Sequence, residues 1–258
     1  MRTESLELRL RAFRLPSFLA HYAPLAEQAA EGGWGHVQYL DELAALEAAE
    51  RGDRRIARLL KDAKLPREKT LATLELARFP TAVRTQIGRL AHGEFLEEAT
   101  NLCIFGNPGV GKTHVMAAIG HELVRAGHAV LFTPVSELVE KLLEAKRDLR
   151  LSRELQRLDR FECLALDDIG YVQQDRSEME VLFTLLAERY ERRSVMITSN
   201  LVFSKWDQIF KDPMTTAAAI DRVVHHSVIV ELNVPSYRAE AAKNRSRAKR
   251  SKEQAEAE

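Results

Sequence analysis

The sequence predicts an α/β fold, in which a parallel five-stranded sheet with helices on both faces follows a small all-α N-terminal domain. Apolar runs rich in β-branched residues alternate with helical patterns after residue 100, as in parallel sheets that are covered on both faces. Residues 1–75 show only the three- and four-residue apolar spacing of helices. The predicted strands span 102–105, 129–133, 162–166, 195–198 and 228–232.

The N-terminal region contains one long predicted helix, from Val37 to Ala63. Leu65-Pro66 ends it, because a residue that precedes proline disfavours helical geometry. Gly52 marks a candidate kink or break in this helix. Residues 76–100 are expected to form a connector with a short helix that ends near Leu90.

The composition is that of an ordinary globular protein, with 258 residues of which 45% are hydrophobic and 29% charged. No apolar run approaches the roughly 18 residues that a membrane-spanning helix needs. Cys103 and Cys163 fall within predicted strands and are expected to act as small hydrophobes in a reducing compartment. The sequence therefore predicts a cytoplasmic protein with no membrane partner.

A glycine-rich turn, GNPGVGKT, joins the first predicted strand to a helix. It matches G-x-x-x-x-G-K-[ST], a loop that binds phosphates through backbone N–H groups and the following helix N-terminus. Lys112 is suited to the β- and γ-phosphates, and the Thr113 hydroxyl to Mg²⁺. The sequence therefore predicts that the chain binds a nucleoside triphosphate. The loop residues are Gly106, Asn107, Pro108, Gly109, Val110, Gly111, Lys112 and Thr113.

Two carboxylates, Asp167 and Asp168, follow the apolar run of the third strand. Ligands of parallel sheets lie at the carboxyl ends of the strands. Asp167 is expected to bind Mg²⁺, through water, and Asp168 to orient or deprotonate the attacking water. The alternative is that the pair caps a following helix.

Two further residues are expected to act on the γ-phosphate. Asn200 ends the fourth strand and can position water, although alone it would more often start a turn. Arg222 precedes the last strand and is expected to enter a neighbouring subunit's nucleotide site as an arginine finger. A surface ion pair with Asp221 or Glu231 is the alternative.

The adjacent histidines His225 and His226 do not predict a metal site. Their side chains are expected to point apart, and the sequence shows no cysteine or spaced carboxylate that would complete a ligand set.

Four motifs, GNPGVGKTH, LALDDIG, ITSN and AAIDRVVHHS, resemble in order and spacing those of the IstB transposition-helper ATPases. These belong to the AAA+ group, beside the bacterial helicase loader and the replication initiator. The stretch that begins RLPSFLAHYAPLAEQ resembles the helical region of the same family, so the similarity covers residues 5–245.

The resemblance implies ATP and Mg²⁺ as ligands. It implies that Thr113 and Asp167 bind Mg²⁺ and that Asp168 activates the attacking water. It also implies that Asn200 is the first sensor and that Arg222 is the arginine finger that acts on a neighbouring subunit.

The same resemblance makes Arg238, in the motif SYR, a candidate second sensor. Too little chain follows Leu232 for the helical lid of the broader AAA+ group. Such helpers assemble on duplex DNA with ATP, engage a transposase and select the target. The implied partners are therefore duplex DNA, a transposase and further copies of the chain.

A basic helix face independently suggests contact with DNA. Arg51, Arg54, Arg58 and Lys61 recur at helical spacing, and such a face neutralises phosphates without reading bases. The alternatives are an ordinary solvated face and a DNA contact made by the basic tail.

The sequence thus predicts a helical domain over 1–75, a connector over 76–100, an AAA+ ATPase domain over 101–242 and a disordered charged tail over 243–258. Two other functions share the phosphate loop. A helicase loader would use its N-terminal helices on a helicase, and a small-molecule kinase would need an arginine-rich lid. The N-terminal resemblance favours the transposition helper.

Overall fold

A computed structural model describes residues 2–171, 176–206 and 213–240. Within them, five parallel strands form one sheet in the order β2-β3-β4-β1-β5. This confirms the predicted fold class, and each strand agrees with its predicted run to within one residue. The strands are β1 (Asn101–Gly106), β2 (Val130–Pro134), β3 (Cys163–Asp167), β4 (Ser194–Ser199) and β5 (Ser227–Leu232).

Helices cover both faces of the sheet, because alternate strand residues point to opposite sides. Leu102 and Ile104 belong to one buried cluster, whereas Cys103 and Phe105 belong to another. The helices are α1 (Arg2–Ala12), α2 (Pro16–Glu31), α3 (His36–Ala63), α4 (Thr81–Ala91), α5 (Lys112–Arg125), α6 (Val135–Arg147), α7 (Leu151–Leu158), α8 (Arg176–Arg189) and α9 (Pro213–Val224). None of these helices is long and apolar enough to cross a bilayer.

Both cysteines are fully buried in the sheet, as predicted. Cys103 lies on β1 and Cys163 begins β3, and neither forms a disulfide. Burial raises the pKa of each thiol to about 12, because the interior disfavours the thiolate.

The chain divides into two compact units, Met1–Arg58 and Leu59–Glu258. The first consists of α1, α2 and most of α3, which continues through Gly52 without a break. The units meet between Arg58 and Leu59, within α3, so that α3 contributes to both of them. The sequence pattern instead suggests a boundary at residue 75. The functional roles of the predicted domains stay predictions, and the tail at 243–258 lies outside the described residues.

Within the first unit, the buried carboxylate of Glu47 holds α2 against α3. Its Oε2 accepts the Ser17 backbone N–H at 2.9 Å, and its Oε1 lies 3.0 Å from Arg51 and 3.2 Å from Arg54. Arg54 also pairs with Glu50 at 3.0 Å. These two arginines therefore support the fold of the unit.

In the second unit, Glu162 joins the start of β3 to the start of β2. Its Oε2 lies 2.8 Å from His128 Nδ1, and its Oε1 accepts the Ala129 N–H at 3.2 Å. Burial opposes ionisation of Glu162, but these hydrogen bonds outweigh it and hold the pKa of the carboxyl below its usual range. A lowered pKa stabilises the fold at neutral pH, and this stabilisation is lost as the pH falls through the folded-state value.

We expect Glu162→Gln to lower the free energy of unfolding at pH 7 by about 1 kcal/mol, because a charge-assisted hydrogen bond is lost at a partly exposed site. The difference should shrink as the pH falls, since the native carboxyl then also becomes neutral. Urea unfolding followed through the buried Trp206 measures it, in a Trp34→Phe background that leaves one tryptophan.

The exposed Glu140→Gln of α6 is the matched control and should change little. If Glu162→Gln lowered the free energy of unfolding equally at pH 7 and at acidic pH, packing and not charge would hold the two strands together.

Candidate nucleotide-binding site

The strand order brings the phosphate loop next to the carboxyl ends of two other strands. β1 pairs with β4 on one side and β5 on the other, and β4 in turn pairs with β3. A cavity of about 340 Å³ opens at this edge. Its lining comes from residues within 69–79, the loop and first turn of α5 at 108–114, the ends of β3 and β4, and residues 237–238.

The loop takes a backbone conformation that requires glycine at Gly109. Its φ is +82°, and a Cβ there would lie 2.3 Å from Ser236 Oγ. The Gly109 carbonyl accepts the Tyr237 N–H at 2.9 Å, so the segment after β5 packs directly on the loop. α5 begins at Lys112, so its positive N-terminal end faces the cavity.

The Lys112 ammonium donates to two carbonyl oxygens of its own loop, at 2.8 Å to Gly106 and 3.1 Å to Asn107. Burial lowers the pKa of Lys112, and the carboxylates of Asp168 and Asp167 counteract this effect. The lysine is therefore held over the loop, with carboxylates nearby to balance its charge.

Asp167 connects three elements through one oxygen atom. Its Oδ1 accepts the Thr113 hydroxyl at 2.9 Å and the Thr198 hydroxyl at 2.7 Å. Thr198 Oγ1 in turn accepts the Asp168 N–H at 2.8 Å. The ends of β3 and β4 and the start of α5 thus meet at this carboxylate. The sequence prediction included Thr113 and Asp167 but missed Thr198, whose only signal is its place in ITSN.

The Oδ1 atoms of Asp168 and Asn200 are buried, and neither has a hydrogen-bond partner in the described part of the chain. Both residues line the cavity. Asp168 has a φ of +63°, an unfavourable backbone for a non-glycine residue. Burial and then the neighbouring Asp167 raise the pKa of Asp168. Gly170 is needed beside them, since a Cβ there would lie 2.3 Å from Asn200 Oδ1.

One wall of the cavity lies outside the residues that the motifs predict to bind the phosphates. It comes from the segment after α3, and its members that line the cavity are Lys69, Thr73, Glu75, Arg78 and Phe79. His114 Nε2 joins α5 to this segment, at 3.2 Å from Thr73 Oγ1. The Arg78 guanidinium lies over the Tyr237 ring at 5.2 Å and pairs with Glu240 at 2.7 Å. No local motif marks these residues, because tertiary packing brings them to the loop.

Arg238 and Arg222 occupy different places. Arg238 lines the cavity and lies against Gly109. Arg222 does not line it: its guanidinium lies over the Phe183 ring at 4.7 Å and donates to the Ala218 carbonyl at 3.3 Å. No ion pair with Asp221 or Glu231 is formed by Arg222 among the described residues. Its position leaves it outside the nucleotide cavity of its own chain.

The basic face of α3 divides into two kinds of cationic residue. All four side chains are exposed. Arg51 and Arg54 are paired with glutamates of the same helix, whereas Arg58 and Lys61 form no ion pair within the described part of the chain.

The residues present fit a magnesium nucleotide. Mg²⁺ prefers hydroxyl and carboxylate oxygens, and Thr113 and Asp167 offer one of each. The glycine-rich turn, the N-terminus of α5 and Lys112 suit phosphate groups. The unpartnered oxygens of Asp168 and Asn200 can accept hydrogen bonds from a water molecule beside them.

Comparison with known proteins agrees with this geometry. A family model described as IstB-like ATP binding protein matches residues 8–248. A relative from Sinorhizobium fredii, named as a candidate insertion sequence ATP-binding protein, is 44% identical over 238 residues, which cover 92% of this chain and 80% of the relative. The candidate ATP-binding protein of insertion sequence IS21 from Pseudomonas aeruginosa is 37% identical over 233 residues, covering 90% and 88% of the two chains.

Solved structures show the same fold at lower identity. DnaI has a TM-score of 0.55 at 22% identity, over 66% of this chain and 95% of that chain. AMPPCP-bound DnaA from Aquifex aeolicus has a TM-score of 0.55 at 17% identity, over 72% and 56%. The fold is thus the P-loop AAA+ fold. The family match and the two relatives show that this chain belongs to the IstB-like ATP-binding proteins.

Proposed function

We propose that this chain is an ATPase that assembles on duplex DNA and helps a transposase to select its target. The observation that carries the proposal is the cavity in which Asp167 joins Thr113 to Thr198, with the buried oxygens of Asp168 and Asn200 beside it. The names of the relatives, which refer to insertion sequences, support the connection with transposition.

ATP is the substrate, and the loop 106–113 binds its phosphates. Lys112 exchanges its hydrogen bonds to two loop carbonyls for hydrogen bonds to β- and γ-phosphate oxygens. The new bonds are stronger, because the acceptors are charged and the carbonyls are neutral. Arg238 reaches the same cavity and adds a second cation as a candidate sensor. Thr113 and Asp167 would hold Mg²⁺, which would neutralise phosphate charge that develops during transfer.

Asp168 accepts a proton from the attacking water, and Asn200 fixes the orientation of that water. The left-handed backbone at Asp168 and its buried Oδ1 support a preorganised acceptor. The raised pKa of Asp168 makes it a better proton acceptor than an ordinary aspartate. Asn200 keeps its hydrogen-bonding capacity at any physiological pH, because an amide does not titrate.

Arg222 acts on the nucleotide of a neighbouring copy. It lies outside its own cavity, and its stacking on Phe183 is the arrangement of the separate chain. Assembly would move the guanidinium to the neighbour's γ-phosphate, where it stabilises the transition state. Hydrolysis is then coupled to assembly on DNA and so to contact with a transposase in the cytoplasm.

The part of the basic face on α3 that is not engaged in ion pairs contacts DNA phosphates. Arg58 and Lys61 are available for this role. Arg51 and Arg54 would first have to exchange their glutamate partners, so their contribution is smaller.

We expect Asp168→Asn to bind ATP with near-normal affinity and to hydrolyse it at least about 100-fold more slowly, since only the proton acceptor is removed. Phosphate release and binding of a fluorescent ATP analogue measure the two quantities. Lys112→Ala serves as the reference for lost binding. Hydrolysis by Asp168→Asn at the parental rate would overturn the role of Asp168.

Arg222→Ala should bind ATP normally but lose the rise in activity that protein concentration and duplex DNA produce, with a loss of about 10³-fold in the assembled state. Mixing it with Lys112→Ala should restore part of the activity, because one chain offers an intact cavity and the other an intact arginine. Mixed assemblies that stay inactive, although light scattering proves that they form, would instead place the action of Arg222 within one chain.

A double change of Arg58 and Lys61 to alanine should flatten the log–log salt dependence of DNA binding by up to about two units, at roughly 0.9 for each phosphate that is no longer neutralised. All duplex sequences should weaken alike. Fluorescence anisotropy measures the slope, with the exposed Lys205→Ala as control. The basic tail after residue 242 would be the DNA-binding segment if its deletion removed binding while the double variant kept the parental slope.

A further inference from the structure

Two turns at the amino ends of the strands, opposite the nucleotide cavity, bring a carboxylate and two imidazoles together. Glu191 lies in the turn between α8 and β4, and His225 and His226 lie in the turn between α9 and β5. His226 Nε2 is 3.5 Å from Glu191 Oε1, and the two imidazole rings are 4.3 Å apart. One ligand atom of each residue lies within 4.8 Å of the others.

This grouping corrects the expectation that the adjacent histidines point apart and lack a third ligand. Adjacent side chains point to opposite faces only in an extended strand. His225 and His226 instead occupy a turn, and Glu191 reaches them from a distant part of the sequence. Tertiary structure supplies the carboxylate that the local sequence does not show.

We propose that Glu191, His225 and His226 bind a divalent transition-metal ion such as Zn²⁺. Ligand bonds of about 2.0–2.1 Å in a tetrahedral site place neighbouring donor atoms about 3.3 Å apart. The separation between Glu191 and His226 already meets this requirement. Two imidazoles and one carboxylate form a known donor set for zinc, and exposure of all three side chains leaves the fourth position to water.

Tyr190 prepares His225 for this role. Its hydroxyl lies 3.1 Å from His225 Nδ1, so a hydrogen bond there leaves Nε2 of the same ring as the ligand atom. A hydrogen bond to the other ring nitrogen fixes the tautomer and orientation of a metal-binding histidine. The donor set therefore has support from a neighbouring side chain.

The ion would join the end of α8 to the end of α9. α9 carries Arg222, one helical turn before His226, and α8 carries Phe183, on which Arg222 lies. Metal binding would thus fix the pair of helices that positions this arginine. The site itself is independent of the proposed ATPase activity, so its test does not depend on that activity.

The test is a titration of the tag-free full-length chain with Co²⁺, without nucleotide. We expect saturation at one ion per chain, with the visible absorption bands of tetrahedral Co²⁺ and loss of those bands when Zn²⁺ displaces it. Glu191→Gln and His226→Ala should each weaken binding by at least tenfold, and Tyr190→Phe should weaken it by about tenfold. The exposed His36→Ala is the matched control and should bind as the parent does.

Thermal unfolding provides a second readout. Zn²⁺ should raise the unfolding midpoint of the parent and of His36→Ala, because an ion that binds only the folded state stabilises it. It should not raise the midpoint of His226→Ala. Without metal, the parent and His226→Ala should unfold alike, since the side chain is exposed. Absence of saturable binding, or parental affinity in both Glu191→Gln and His226→Ala, would overturn the proposal.

Discussion

The hydrogen bonds that Thr113 and Thr198 donate to Asp167 Oδ1 are the constraint on which the nucleotide site depends. They fix the start of α5 relative to the ends of β3 and β4, and this alignment sets where the loop, Asp168 and Asn200 can act together. The sheet order makes the meeting possible, because β4 lies between β3 and β1. A shift of either strand by one residue would turn its side chains to the opposite face of the sheet.

Lys112 and Asp168 bring opposite charges into the same cavity. Burial lowers the pKa of Lys112 and raises the pKa of Asp168, because it disfavours the charged form of each group. Their mutual attraction partly offsets that cost. Under the proposed function, a phosphate group at Lys112 would compete with the carboxylates for the same cation, and nucleotide binding would then be linked to the protonation of Asp168.

The sequence was sufficient for features that depend on local pattern. Apolar runs rich in β-branched residues predicted all five strands. The motifs around Gly106 and Asp167 predicted that Thr113 and Asp167 would lie together, as they do, and their roles toward phosphate and metal stay predictions. It was insufficient where distant segments converge. Lys69 and Thr73 reach the cavity without a motif, Arg222 lies over Phe183 instead of pairing with a carboxylate, and Glu191 joins His226 across the fold. The division after Arg58 carries no sequence signal, because α3 runs through it without a change in periodicity.

The two buried cysteines have a practical consequence for spectroscopy. With a pKa of about 12, both thiols are almost entirely protonated at neutral pH, whereas the thiolate is the form that attacks a maleimide. Neither Cys103 nor Cys163 reaches solvent. A cysteine introduced on the surface can therefore carry a fluorophore or spin label without removal of the native ones, and distances between two labelled positions become measurable in an otherwise unaltered chain.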